Sequence, residues 1–145
     1  MIRISNTKID PEKELKAFRE RLTDVGAISS FVGVVRNDGK TDTLTLSHYS
    51  GFTEKHIEKF CDTAEKRWPL RDILIIHRVG SMVVGDPIVV VATASAHRRA
   101  AMESCDFLMD KLKCEAPFWK QETSNGKSSW IEPRAEDLND LDRWS

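Results

Sequence analysis

Residues 88–94 read Ile88-Val-Val-Val-Ala-Thr-Ala94, a continuous apolar run without a single charge. A run of this length, rich in β-branched residues, is typical of a strand that is buried on both faces. A helix is predicted directly after it, from about Ala96 to Leu112, with Ser95 as its cap. The apolar residues of that helix repeat one helical stripe, formed by Ala101, Cys105, Leu108 and Leu112. A buried strand covered by a helix is therefore the centre from which the rest of the fold is predicted.

Alternation, helical spacing and turn residues predict the remaining elements. Strands are predicted at Ile2–Ser5, Gly26–Arg36, Thr41–Tyr49, Asp72–Val79 and Ser129–Glu132, and helices at Pro11–Thr23 and Thr53–Trp68. Turn chemistry at residues 37–40 predicts that strands Gly26–Arg36 and Thr41–Tyr49 form a hairpin-like pair. Gly33 predicts a bulge or a close approach, Gly80–Gly85 a turn, residues 124–127 a loop, and Glu136–Trp144 a helical or loosely held tail. Residues 1–145 are predicted to form one α+β domain.

Composition excludes several classes of protein. The chain has 145 residues, 40% of them hydrophobic and 31% charged, which is typical of a globular domain. Its 22 basic and 23 acidic residues give a net charge of −1, so no overall field attracts nucleic acid or membrane. The N-terminal residues lack the apolar run of a signal peptide, and no stretch approaches the length of a membrane span. We therefore expect a cytoplasmic protein in which any basic site is local.

Cysteine and histidine spacing argues against disulfides and metals. The three cysteines, Cys61, Cys105 and Cys114, include no C-x-x-C pair, and Cys61 and Cys105 fall inside helical patterns where a small core residue is expected. Cys114 lies beside Lys113 and could have a lowered pKa, but no histidine base is adjacent in sequence. The four histidines are scattered without metal-ligand spacing, so no metal and no resident cofactor are expected.

Chemistry is concentrated in Lys113-Cys-Glu-Ala-Pro-Phe-Trp-Lys120, which follows the predicted helix. Pro117 prevents this segment from continuing the helix, and Phe118 and Trp119 are large enough to anchor the turn in a pocket wall. The ammonium groups of Lys113 and Lys120 would then be held near one spot, where lysine suits an anionic substrate or proton transfer. The segment predicts a site for a small anion.

Three further cations are candidates for the same site. Arg36 ends a predicted strand, and His97 and Arg98 lie at a helix start, where free N–H groups favour anions. Each residue also has an ordinary explanation, since Lys113 would complement a helix C-terminus and Lys120 would lay its stem over Trp119. Arg36 would simply end a strand in water, and His97 would close a hydrogen bond. Residue types alone leave both interpretations open.

In combination, these motifs resemble the family of large, catalytic subunits of molybdopterin synthase, the MoaE family. The resemblance runs in family order through Gly26–Arg36, Leu46–Lys55, Ile76–Gly80, Val91–Arg98, Leu112–Glu122 and Trp130. It implies an α/β-hammerhead type of α+β fold and an enzyme that builds the dithiolene of molybdopterin on cyclic pyranopterin monophosphate. The sulfur would arrive as a C-terminal Gly-Gly thiocarboxylate on a small ubiquitin-like subunit, in a heterotetramer built on a homodimer of large subunits.

The resemblance also implies roles for individual residues. Lys113 and Lys120 match the two active-site lysines of the family, and Arg36, His97 and Arg98 match substrate-binding positions. Flanking contacts to the substrate would come from Val34, Val35, Gln121 and Glu122, and Arg134 matches a basic residue that reaches a site across the dimer. No cysteine of this chain is required, because the donor brings its own sulfur.

Two other functional classes remain to be weighed. A non-enzymatic adaptor would keep the groove for a ubiquitin-like tail and use the lysines only to pair the tail's carboxylate, although it would need fewer cations. A nucleotide sensor is disfavoured, because the sequence has no Gly-rich loop of the type G-x-x-x-x-G-K-[ST].

Overall fold

The fold is an α+β arrangement of two four-stranded sheets and their helices, seen in a computed structural model that describes residues 1–124, 126–131 and 134–145. The strands are β1 (Ile2–Ser5), β2 (Ala27–Val34), β3 (Thr43–His48), β4 (Leu70–Arg78), β5 (Gly80–Met82), β6 (Pro87–Ser95), β7 (Phe118–Ser124) and β8 (Lys127–Ile131). The helices are α1 (Pro11–Glu20), α2 (Phe52–Arg67), α3 (Arg98–Cys114) and α4 (Ala135–Asp142). The predicted α+β class is confirmed.

Sheet I has the strand order β1-β4-β6-β2, with β1 parallel to β4 and the other pairs antiparallel. The predicted burial of residues 88–94 is confirmed from Val89 onward, because successive side chains of β6 enter different cores. Val89 and Val91 pack with α2 and α3, while Val90 and Ala92 pack with Phe18 of α1. This central strand fixes α3 on one face of the sheet and α1 on the other.

Sheet II has the order β5-β3-β7-β8, and all its pairs are antiparallel. Leu44 and Leu46 of β3 and Met82 of β5 form a small core with Val35, which follows β2 of sheet I. Phe118, at the start of β7, packs against both this cluster and the α2–α3 core. The two sheets are thus joined at the end of sheet I where β2 finishes.

The predicted hairpin of strands Gly26–Arg36 and Thr41–Tyr49 is wrong. The turn itself forms, since Asp38 accepts hydrogen bonds from the N–H groups of Lys40 and Thr41. It directs the chain from one sheet to the other, however, so β2 pairs with β6 while β3 pairs with β5 and β7. The apolar β2 gains more from pairing with the buried β6 than from its neighbour in sequence, because pairing is decided by tertiary packing.

Other local predictions were confirmed or need correction. The irregularity expected at Gly33 is present, because the β2–β6 register shifts between Gly33 and Val34. The turn predicted at Gly80–Gly85 is partly wrong, since Gly80–Met82 form β5. Ser95 does not cap α3: His97 is the N-cap, and the Ser95 hydroxyl donates to the Pro69 carbonyl.

The termini of the predicted elements also shift. The first helix ends at Glu20 rather than Thr23, and α3 runs on to Cys114. Of the predicted loop at residues 124–127 and strand Ser129–Glu132, Asn125 and Glu132 lie outside the described residues, and β8 begins earlier, at Lys127. The tail is helical as α4. Among the described residues, no helix combines the length and apolar character needed to cross a bilayer.

Candidate active site at the end of helix α3

Lys113 and Lys120 are brought together by a short turn. Lys113 lies in the last turn of α3 and Lys120 is the third residue of β7, so only residues 115–117 separate helix from strand. The turn is tied to α2 by Thr53, whose buried hydroxyl donates to the Pro117 carbonyl at 3.0 Å. The rigid turn predicted from Pro117 therefore has a specific anchor elsewhere in the chain.

Lys120 extends from the inner face of sheet II. It lies directly opposite Leu46 on β3, and opposed residues of an antiparallel pair project to the same face. Leu46 is only 1% exposed, so that face is the core side. Burial lowers the pKa of Lys120 from 10.5 to about 8, and the neighbouring Lys113 ammonium is the next largest cause. The negative charges of Asp137 and Glu122 raise the pKa of Lys120 and so offset part of this shift. A lysine with such a pKa can both bind an anion and transfer a proton near neutral pH.

His77 belongs to the site and was missed by the sequence analysis. It is 7% exposed at the end of β4, and its ring stacks on Phe118 with centroids 4.0 Å apart and planes 18° apart. Burial lowers the pKa of His77 to about 4, and the charges of Lys120, His48 and Lys113 act in the same direction. Its period-two spacing after Ile73 and Ile75 was a pattern that could have placed it on the core face.

The lysines share this end of the molecule with the residues after β2. Helix α3 follows β6 and runs back over sheet I, so its C-terminus lies over the end where β2 finishes. Val34 is 52% exposed there, Val35 is buried and Arg36 is exposed. Gln121 and Glu122 continue β7 beside Lys120 and are half-buried. Arg36, both lysines and the predicted flanking residues therefore lie at the same end of one chain.

His97 and Arg98 are placed elsewhere in the same chain. They lie exposed at the N-terminal end of α3, which has 17 residues. At 1.5 Å per residue that helix separates them from Lys113 by about 22–24 Å. A single copy therefore does not unite the five predicted cations.

Arg134 lies nearer to the lysines, at the N-cap of α4. Its guanidinium forms ion pairs with Glu136 at 3.5 Å and Asp137 at 3.6 Å. Asp137 is 8% exposed, and its backbone carbonyl accepts a hydrogen bond from the Cys114 thiol at 3.1 Å. Helix α4 thus packs against the end of α3 and places a carboxylate close to Lys120.

Cys114 is poorly suited to be a nucleophile. Burial raises the pKa of its thiol, and Asp137, Asp110 and Glu115 raise it further, while Lys113 acts weakly in the opposite direction. The expectation that Cys61 and Cys105 are core residues is confirmed, because both are buried. Within the described ranges, no group of three or more histidine, cysteine or acidic side chains is arranged to hold a metal ion.

Aromatic side chains flank the lysines on both faces of β7. Phe118 points inward onto His77, whereas Trp119 points outward, is 41% exposed and contacts Tyr49 at a centroid distance of 4.0 Å. Phe52, at the start of α2, extends this surface toward solvent, 6.0 Å from Tyr49. Lys120 therefore shares the inner face of β7 with Phe118, while Trp119, Tyr49 and Phe52 form an exposed apolar surface on the opposite face. This combination suits an anion carried on a larger molecule.

Comparisons with known proteins give one consistent result. A sequence profile described as MoaE protein matches residues 4–115. The molybdopterin synthase catalytic subunit of Pseudomonas aeruginosa is 44% identical, over 99% of this chain and 97% of its own length. The molybdopterin biosynthesis MoaE protein of Burkholderia ambifaria is also 44% identical and superposes with a TM-score of 0.86, covering 99% of this chain and 97% of its own. The crystal structure of molybdopterin synthase from Staphylococcus aureus is 28% identical, with a TM-score of 0.79 over 88% and 94% of the two chains.

Proposed function

Because this chain belongs to the MoaE protein family, we propose that it is the catalytic subunit of a molybdopterin synthase. It transfers sulfur from the C-terminal thiocarboxylate of a small ubiquitin-like subunit to cyclic pyranopterin monophosphate, forming the dithiolene of molybdopterin. The observation that carries the proposal is the pairing of Lys113 with a half-buried Lys120 whose pKa is lowered to about 8. The whole chain acts as one domain in the reducing cytoplasm, in keeping with its free cysteines.

The two lysines supply different parts of the chemistry. The reaction needs attack of the donor sulfur on the pterin side chain, opening of the cyclic phosphate, loss of oxygen as water and hydrolysis of the acyl–sulfur link. Lys113, which is exposed, contacts the thiocarboxylate tail and the developing anion. Lys120 acts as general acid and general base, because a lysine with a pKa near the operating pH can both donate and accept a proton. An exchange of these two roles is equally compatible with the sequence.

A second copy of the chain completes the substrate clamp. Strand β2 is the edge of sheet I, and apolar side chains lie exposed along it, namely Ile28, Phe31, Val32 and Val34. An exposed, hydrophobic edge strand favours pairing with another chain. A homodimer formed across β2 covers this surface, and the small subunits at its two ends make the heterotetramer.

Two-fold symmetry then brings the separated cations together. Ala27, at one end of β2, pairs with Ser95, which precedes His97, while Arg36 follows the opposite end of β2. When two β2 strands lie antiparallel across a dyad, the start of one is beside the end of the other. His97 and Arg98 of the second copy thus join Arg36 and the lysines around the phosphate and pterin, with Val34, Val35, Gln121, Glu122 and Arg134 flanking them.

Removal of the Lys120 ammonium tests the proposal. We expect Lys120→Ala to lose dithiolene formation by 100-fold or more, on the order expected for loss of general acid–base catalysis, while the chain stays folded and binds its thiocarboxylated partner. Lys66→Ala, at an exposed position in the last turn of α2, is the matched control and should keep wild-type turnover. Near wild-type turnover by Lys120→Ala would remove lysine chemistry from the mechanism.

The adaptor hypothesis makes the opposite prediction in the same assay. An adaptor needs only permanent positive charge to pair a tail carboxylate, and a lowered pKa of Lys120 weakens that charge. Supplying the thiocarboxylated partner and the cyclic pterin to the wild-type chain would then give no dithiolene product.

A further inference from the structure

His77 is the most deeply buried titratable side chain around the lysines, and the proposed chemistry leaves it without a role. We infer that His77 is a positioning residue for Lys120. By stacking on Phe118, its uncharged imidazole keeps an apolar surface beside the Lys120 side chain that excludes water. This inference rests on the proposed function only for the role of Lys120. It identifies a residue of sheet I that controls a side chain of sheet II.

Geometry connects His77 to Lys120. The imidazole lies parallel to the Phe118 ring at 4.0 Å, and Phe118 opens β7. Side chains two residues apart on a strand share a face, so Lys120 extends from the same side as Phe118, about 7 Å further along. The stacked rings of His77 and Phe118 therefore form the wall beside which the stem of Lys120 lies.

A hydrogen bond fixes the orientation and tautomer of the imidazole. Nδ1 of His77 lies 2.9 Å from the carbonyl oxygen of Arg78. A carbonyl only accepts, so Nδ1 carries the hydrogen and Nε2 keeps a lone pair. The hydrogen bond to Arg78 thus fixes the orientation of the His77 ring, and the stacking contact in turn fixes the orientation of the Phe118 ring.

Electrostatics explain why a neutral imidazole suits this position. Burial holds the pKa of His77 at about 4, so the ring is uncharged at neutral pH. Titratable groups act on it from three other elements, His48 on β3, Lys113 on α3 and Lys120 on β7. Glu122 of β7 and Asp137 of α4 act in turn on Lys120. A protonated His77 would add a third cation beside Lys113 and Lys120, whereas a smaller side chain would admit water. Either change alters the protonation of Lys120.

The test measures the protonation of Lys120 directly, without substrate. The rate at which an amine-selective acylating reagent modifies Lys120 is followed against pH by peptide mass spectrometry, in the complete chain. We expect His77→Ala to raise the apparent pKa of Lys120 by about one unit, because water reaches the ammonium. His77→Phe, which keeps an aromatic wall, should leave that pKa within a few tenths of the wild-type value. His56→Ala, at a half-buried histidine of α2 that packs on Phe52, is the control and should leave the pKa of Lys120 unchanged.

A purely structural His77 gives a different pattern. Thermal unfolding would then show lower stability in both variants, while the Lys120 titration in the folded chain stayed unchanged, and that result would overturn the inference. His77→Gln serves the same purpose where the alanine variant does not fold, and is expected to raise the pKa in the same direction. The pH profile of dithiolene formation should shift with the titration. A wild-type chain that makes no product would refute the proposed function but leave the titration result intact.

Discussion

Burial and the nearby Lys113 ammonium disfavour the charged form of Lys120 in the folded chain. The free energy of unfolding therefore depends on pH. The pKa of Lys120 is 10.5 in an ordinary setting and about 8 in the folded chain. Between these pH values the unfolded chain holds a proton that the folded chain has released, so raising the pH through the window stabilises the fold. Below pH 8 both states are protonated and the full destabilisation is present.

Substitution of Lys120 by an uncharged residue should remove this pH dependence. We expect Lys120→Met to be more stable than wild type at pH 7, with the difference shrinking between pH 8 and 10 by about 1 kcal/mol per unit. Urea unfolding of both chains at several pH values measures it. Parallel stability curves for the two chains would show that Lys120 is as well solvated folded as unfolded.

Thr53 is the residue whose loss should loosen the turn between Lys113 and Lys120. Its hydroxyl is fully buried, donates to the Pro117 carbonyl and accepts from the Tyr49 N–H, both at 3.0 Å. Thr53→Val keeps the shape but leaves both backbone groups unpaired, which should cost about 1–3 kcal/mol in urea unfolding and lower turnover. Thr63→Val, which removes an exposed bond to the Lys59 carbonyl on the same helix, should cost far less. Equal losses would mean that the Pro117 anchor has no special importance.

At the scale of single residues, the sequence predicted the features that neighbouring residues determine. It did not predict the features that depend on contacts between distant residues. Lys113 and Lys120 were predicted to lie together, because Pro117 forces a turn between them. His77 was not predicted as part of the site, since its stacking partner Phe118 lies 41 positions away and belongs to the other sheet.

Individual elements follow the same division. The apolar run at residues 88–94 predicted a buried central strand, because its length and lack of charge can be read from the run itself. The pairing of β2 could not be obtained in this way, since the turn at Asp38 forms with or without a hairpin. Which strand β2 joins depends on β6 being available as a buried, largely apolar neighbour.

Packing around β2 makes a prediction about its two nearby glycines. A Cβ on Gly26 would press against the Ala96 carbonyl oxygen, well inside van der Waals contact, whereas a Cβ on Gly33 would meet the Val89 side chain at 2.9 Å. Backbone cannot rotate away as a side chain can, so Gly26→Ala should destabilise the chain by about 1–3 kcal/mol and Gly33→Ala by less. Urea unfolding measures the loss of stability in the two variants. A larger loss for Gly33→Ala would show that the backbone of the turn before β2 adjusts more easily than the sheet does.

For the whole molecule, the length of α3 is the decisive fact. The helix holds His97 and Arg98 at one end and Lys113 at the other, so the cations match the predicted site only when two copies share it. The predicted helix already implied this separation by its length. The sequence did not show which end of α3 lies beside Arg36, because that depends on the direction in which α3 crosses sheet I.

A shared site predicts that two inactive chains restore each other. In the proposed homodimer, Lys120→Ala lacks the lysine in both sites, and Arg98→Ala lacks the clamp in both. A mixed dimer contains one site with both defects and one site that is intact, so random pairing should recover roughly a quarter of wild-type activity. The measurement is dithiolene formation by co-expressed, differently tagged chains, with mixed dimers verified by native mass spectrometry. Mixing Lys120→Ala with Lys113→Ala is the control and should restore nothing, because both changes affect the same half of every site. Absence of recovery in verified mixed dimers would mean that each chain uses its own His97 and Arg98, which the geometry of α3 does not permit without a large rearrangement.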